Sequence, residues 1–166
     1  PASCETFSYG QVEDYTVNVQ GSSRTLNLTV FLEGLYNNGT GTMRQVQDCT
    51  DGETTFNKFP GITVDSLSVL LANPISPWAY VYQSHALPVN PDGTISLTVP
   101  AIYSGNYYIA IRHRSSIETW NAVPVSFSGS TITYNFTTAA AQAFGSNQKN
   151  VSEGGSVYAF YTGDVS

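Results

Sequence analysis

The chain has 166 residues, long enough for one domain with a sizeable core. Hydrophobic residues make up 41% and charged residues only 11%, which excludes the composition of a disordered segment. Six Lys and Arg against twelve Asp and Glu leave a net charge of −6, too few cations for a nucleic-acid-binding face.

Sparse charge with eleven tyrosines and abundant Thr, Ser, Asn and Gly reads as an extracellular, β-rich protein. No apolar run is long enough to cross a membrane as a helix. The sequence opens on Pro1 without a signal-peptide pattern, which reads as a mature or excised piece.

Residues 1–20 form a first unit, with strand alternation over 15–19, and Gly21-Ser22-Ser23 reads as a linker. The second unit covers 24–166. Residues 25–35 alternate most cleanly, with Leu26, Leu28, Val30 and Leu32 on one face. Asn37-Asn38-Gly39-Thr40-Gly41 ends that strand as a turn-rich loop. Residues 43–61 are polar and aperiodic, which predicts one long loop.

A strand over 64–71 points Leu67, Val69 and Leu71 inward. Prolines then break the chain before a strand over 78–83. Asn90-Pro91-Asp92-Gly93 predicts a turn, with Gly93 free to take positive φ. The next strand, over 94–99, turns Ile95, Leu97 and Val99 inward.

Residues 106–120, NYYIAIRHRSSIETW, carry the densest polar and aromatic cluster. Tyr107, Ile109, Ile111 and His113 share one face, and Tyr108, Ala110, Arg112 and Arg114 the other. Ser115-Ser116 turns the chain, so 117–120 folds back as a short strand. Strands over 123–127, 132–136 and 157–161 complete the set, with Gly129-Ser130 expected as a hairpin turn. Recurrent short strands with Gly and Pro punctuation predict an all-β antiparallel sandwich, immunoglobulin-like or transthyretin-like. Leu28, Val30, Leu32, Leu67, Val69, Leu97, Ile109 and Ile111 are expected in one core.

Three stretches carry a resemblance. Phe7-Ser8-Tyr9-Gly10-Gln11-Val12-Glu13-Asp14-Tyr15-Thr16-Val17 resembles the end of a GEVED domain, with Gln11 in place of the first Glu. Residues 26–36 and 107–120 resemble the β-sandwich accessory module that follows it in large secreted Bacteroidota proteins. Residues 161–165 resemble the entry to a dockerin-like repeat, although the Asp-rich loop is not reached. The resemblance implies export by type IX secretion, a cell-surface or extracellular location, and a role beside adhesins, proteases or glycoside hydrolases.

Trp78, Tyr80 and Tyr82 fall on one face of the predicted strand and could form a flat carbohydrate-binding platform; the competing reading is that they cover the core. Arg112, Arg114, Glu118 and Trp120 read as a structural cluster, with Glu118 paired to an arginine across the hairpin and Trp120 packed on the sheet. His113 has no serine or cysteine motif that would make it a general base. Cys4 and Cys49 are expected to form a disulfide in an oxidising compartment, a partner in an upstream segment being the competitor for Cys4.

Glu13 and Asp14 are adjacent and point to opposite faces of a strand, so they are no acid/base couple. Asp48, Asp51 and Glu53 have a loosely calcium-like spacing without the twelve-residue pattern, which leaves calcium a minor alternative to solvated carboxylates. Asp65-Ser66-Leu67 resembles the Bacteroidota O-glycosylation acceptor, with Ser66 as the acceptor.

No catalytic set and no metal-ligand set emerges. The sequence predicts a non-catalytic module for adhesion, spacing or presentation of a neighbouring domain. The alternatives are a carbohydrate-binding module and the accessory fragment of a secreted protease or glycoside hydrolase. Expected partners are neighbouring domains of the same polypeptide, with glycans or surface proteins as further candidates, and no nucleic acid or membrane span.

Overall fold

The structure is a computed structural model that describes residues 22–163. The first half runs through β1 (Ser23–Thr29), β2 (Tyr36–Asn37), β3 (Thr42–Met43), β4 (Gln47–Cys49), β5 (Thr55–Asn57) and β6 (Asp65–Ala72). There follow β7 (Tyr80–Val89), β8 (Thr94–Pro100), β9 (Asn106–His113) and β10 (Ser116–Trp120). The last strands are β11 (Val125–Ser126), β12 (Thr131–Asn135), β13 (Lys149–Asn150) and β14 (Tyr158–Ala159), with 3-10 turns at Ala140–Gln142 and Phe144–Ser146. No helix among the described residues is long and apolar enough to cross a membrane.

The fold is all-β, and two sheets make the sandwich. One has the order β12-β1-β8; the other has the order β10-β9-β6-β7, with β11 also on β9. Between these strands pairing is antiparallel except for β1 and β12, which run parallel from Thr25↔Thr131 to Thr29↔Asn135. Alternation explains the assignment. In β8, Ile95, Leu97 and Val99 are buried while Ser96 and Thr98 are exposed. Such a strand can lay one face on a core and leave the other to water.

Leu28, Val30, Leu32, Leu67, Val69, Leu97, Ile109 and Ile111 all belong to one core. Burying each of these side chains stabilises the fold by roughly 1.5–3 kcal/mol. Phe127, Phe136 and Phe160 are its largest members, and Phe136 and Phe160 meet edge to face at 5.2 Å. These three sit at strand ends, where alternation is too short to mark them. Gly93 takes φ +79° in the turn before β8. A side chain there would start 2.4 Å from the Val30 carbonyl oxygen, so only glycine fits.

Two connections differ from expectation. Residues 43–61 hold a small hairpin, β4 with β5, rather than one long loop. All six of its strand residues are exposed, so it leaves no apolar period in the sequence. Its turn is set instead by Asp51 Oδ1, which accepts the amides of Glu53 at 3.0 Å and Thr54 at 2.7 Å. Gly129-Ser130 is not a hairpin turn. It carries the chain from β11 in one sheet to β12 in the other. Phe127 and Ile132 thereby enter the same core from opposite sheets.

The Cys4 half of the expected disulfide lies outside the described residues, as do Glu13 and Asp14. Cys49 is exposed on β4, where its Sγ accepts the Gly52 amide at 3.0 Å.

Candidate functional site

The outer face of the five-stranded sheet is shaped by two irregularities in β7. Leu71 and Ala72 are neighbours on β6, yet they pair with Tyr82 and Tyr80. Val81 is therefore an extra residue, and the bulge reverses which way the aromatic residues point. The second irregularity places His85 and Ala86 opposite Ser68 alone. Ala86 takes φ +54° there, a left-handed conformation that costs a non-glycine residue about 1–2 kcal/mol.

The first bulge corrects the expected platform. Tyr82 packs against the core, and its hydroxyl donates to the Thr98 carbonyl of the opposite sheet at 3.0 Å. Tyr80 turns outward. Trp78 precedes the strand, 53% exposed and with φ +52°. Trp78, Tyr80 and Tyr82 therefore do not form one flat face, because a period-two reading assumes an unbroken ladder.

A different aromatic group assembles instead. Trp78, Tyr108, Trp120 and Phe144 line an open cleft of about 420 Å³. Trp120 is its hub, 5.8 Å from Tyr108 and 5.6 Å from Tyr80, ring centre to ring centre. Tyr108 and Trp120 come from the central hairpin, where Trp120 pairs with Ala110. Phe144 is brought in by the bridge between Asn121 and Ala143 and is 64% exposed. Sequence reasoning missed Phe144 because it lies 24 positions beyond Trp120, outside every predicted strand.

Glu118 braces this cleft from one side. Its Oε1 accepts the Tyr80 hydroxyl and the Trp120 indole N–H, each at 2.7 Å, and its Oε2 accepts from Arg112 Nε. The Arg112 guanidinium also lies 4.9 Å over the Tyr80 ring. Burial opposes ionisation of Glu118, but the hydrogen bonds from Tyr80, Arg112 and Trp120 outweigh it and hold the carboxyl below its usual range. Burial and then the neighbouring carboxylate push the Tyr80 phenol upward, so it stays a hydrogen-bond donor.

Two residues past Arg112, in the turn that follows β9, Arg114 grips Asp65 with both terminal nitrogens, at 2.8 and 2.6 Å. The Asp65 side chain is 1% exposed. It also accepts the Ser66 amide at 2.7 Å, and His113 Nε2 lies 3.1 Å from its Oδ2, off the line of a good hydrogen bond. Burial opposes the Asp65 charge, yet His113, the Ser66 amide and Arg114 together keep its carboxyl below the usual range.

Two hydroxyls lie close to His113. Ser115 Oγ lies 3.2 Å and Ser116 Oγ 3.4 Å from its Nδ1, because the tight turn from β9 to β10 folds both back. The Ser115 amide points at the same nitrogen from 3.3 Å, and the imidazole side chain is 1% exposed. A substrate carbonyl could not approach within the reach that general-base catalysis needs. The three groups close a turn.

Ser66 is half-buried at the start of β6, opposite Pro88. The carboxylate beside it in the acceptor-like tripeptide is the Asp65 held by Arg114. Asp48 is paired with Lys58 at 3.2 Å, and Asp51 serves its own turn. No group of three or more His, Cys, Asp or Glu that could hold a metal occurs among the described residues. The chain matches no family model, no curated protein and no solved structure.

Proposed function

We propose that the chain is a non-catalytic β-sandwich module of a secreted, cell-surface protein, and that it binds a carbohydrate in the cleft of Trp78, Tyr108, Trp120 and Phe144. The observation that carries this reading is the presentation of Trp78. The ring is half exposed at the mouth of an aromatic cleft, on a backbone held in a strained left-handed conformation. Backbone strain persists where the surroundings enforce it, and such positions concentrate at binding sites. Sugar rings offer apolar C–H faces to aromatic rings, and the Glu118–Arg112–Tyr80 group beside the cleft supplies polar atoms for hydroxyls.

In this reading the module belongs to the GEVED-containing, type IX-exported proteins that the sequence resembles, and adhesion is its contribution to them. The runner-up is a module that only spaces or presents neighbouring domains. The packing of the partly buried Tyr82 toward the opposite sheet favours that reading, because it removes one ring from the expected platform.

Affinity electrophoresis through gels containing soluble polysaccharides tests the proposal. Retardation by at least one polysaccharide is expected, with loss of retardation in Trp78→Ala at an unchanged melting temperature. A wild-type chain that no polysaccharide retards would leave the spacer reading.

A further inference from the structure

The outer sheet face does not end at the aromatic cleft. Beyond Glu118, a second open depression of about 420 Å³ is lined by Ser66, Ser68, Ala86, Arg112, His113 and Arg114. It lies over the second bulge of β7, where Ala86 is strained. Each of the two depressions includes a non-glycine residue at positive φ, Trp78 in the first and Ala86 in the second.

Basic side chains concentrate at this depression. The whole sequence holds six Lys and Arg and two His. Three of those eight line it, and His85 adjoins it through Ser68. Arg112 and His113 at the end of β9 and Arg114 in the turn after it line the depression, and His85 hydrogen-bonds Ser68 through Nδ1 at 2.9 Å. The other four are engaged elsewhere, Lys58 with Asp48, Lys149 with Glu33, Arg24 with the Ala101 carbonyl and Arg44 with the Gly34 carbonyl.

Arg112 and Arg114 are each about half exposed, at 48% and 46% of the side chain. Arg112 commits Nε to Glu118 and Nη2 to Tyr80, and its Nη1 makes no hydrogen bond within the described residues. Arg114 commits one edge to Asp65, which leaves its Nε–H and the outer N–H groups for a ligand. The two guanidiniums are held in place by carboxylates and still present donors outward. The Ser66 hydroxyl supplies a further donor between them, while the Ser68 hydroxyl is engaged with His85.

We infer that this depression is an oxyanion subsite continuous with the aromatic cleft, and that the carbohydrate bound by the sheet face is an acidic oligosaccharide, its carboxylate or sulfate held by Arg112 and Arg114. This inference rests on the carbohydrate reading of the cleft. Tyr108 in the cleft and Arg112 at the subsite are four residues apart on β9, so the two points are separated by about 13 Å along the strand. One sugar ring cannot cover that distance, and an oligosaccharide can. Guanidinium matches planar oxyanions through paired N–H donors, and charge-assisted bonds of this kind are the strong ones.

Calorimetric titration of the full chain with three probes tests the inference: a neutral gluco-oligosaccharide, an oligogalacturonate and a sulfated galacto-oligosaccharide. At low salt at least one acidic probe is expected to bind about tenfold more tightly than the neutral one, the increment of one charged hydrogen bond. That advantage should collapse at about 1 M salt, where the screening length is only a few ångströms. Replacing Arg114 would strand the buried Asp65 charge and destabilise the fold, so Ser68→Asp is the informative variant. It places a carboxylate in the subsite and removes no ion pair. It should abolish the acidic preference, while Trp78→Ala should weaken every probe.

Neutral binding equal to or tighter than both acidic probes would overturn the subsite and leave the carbohydrate reading intact. Acidic binding unchanged by Trp78→Ala would instead overturn the sugar contact at the cleft. No binding of any probe would end both. The uronate and the sulfate ester are distinguished by which probe Ser68→Asp affects.

Discussion

Arg112 near the end of β9 and Arg114 in the turn just after it each hold a carboxylate, yet the two pairs live in different surroundings. The Asp65 side chain is 1% exposed, gripped at two points by Arg114 and flanked by His113. Glu118 is 32% exposed and shares its oxygens with Tyr80 and Trp120. Burial of the anion decides what each pair does. A buried carboxylate cannot do without its partner, whereas a half-exposed one can turn to water. The first pair therefore holds the sheet together, and the second shapes a surface.

The largest expected effect follows from removing the cation from the buried pair. Arg114→Met should destabilise the protein by about 3–5 kcal/mol, measured by urea unfolding, because the buried Asp65 carboxylate loses its two-point partner. Asp65→Asn should cost less, since Arg114 is 46% exposed and its freed guanidinium can hydrate. Equal losses for the two would contradict the asymmetry.

Acid should find the same pairs. Both Asp65 and Glu118 have their carboxyls lowered in the folded protein. The folded state then binds these protons less readily than the unfolded chain. Their contribution is complete above the unfolded values, about 4, and is lost as pH falls through the lower folded values. Melting temperature should therefore hold steady down to about pH 5 and fall below it. In Asp65→Asn the fall should be shallower, and an unaltered acid limb would remove Asp65 as its source.

Next in size is Trp120→Ala, which removes a half-buried ring and one donor to Glu118. Truncation of a fully buried Trp costs about 3–5 kcal/mol, so this half-covered one should cost about 2 kcal/mol. Glu118→Gln should cost about 1 kcal/mol, the value of an ordinary hydrogen-bond network rather than a stranded charge. If Glu118→Gln leaves the melting curve unchanged and still abolishes polysaccharide retardation, Glu118 contacts the ligand directly.

The same contrast marks what the sequence could tell. Alternation located the core strands, since Leu28, Leu67, Leu97 and Ile109 can share a core only if their strands keep one phase. It failed at β7, where two inserted residues shift the phase twice and send Tyr80 and Tyr82 to opposite faces. Bulges are set by pairing with another strand, and no local pattern in residues 78–89 announces them. The hairpin cluster was readable because Arg112 and Glu118 are six positions apart and lie on adjacent strands. Phe144 in the cleft and Asp65 beneath Arg114 come from distant segments, joined by a bridge at Asn121 and by the β6–β9 ladder. The small β4–β5 hairpin was invisible for the opposite reason, since it buries none of its six residues.

The parallel bridge between Leu32 and Phe160 has a mechanical consequence. The Phe160 amide donates to the Phe31 carbonyl at 2.8 Å, and the Glu33 amide donates to the Phe160 carbonyl at 3.1 Å. Glu33 also binds Lys149 and accepts the Thr162 amide at 2.9 Å. Tension applied through the chain on either side would pull the segment at Leu32 toward its N-terminal end and the segment at Phe160 toward its C-terminal end. Because the two run in the same direction, those pulls are opposed along the strand axis. The bonds are then sheared together instead of being unzipped one at a time, so the two ends of the described chain are fastened in the geometry that resists extension best.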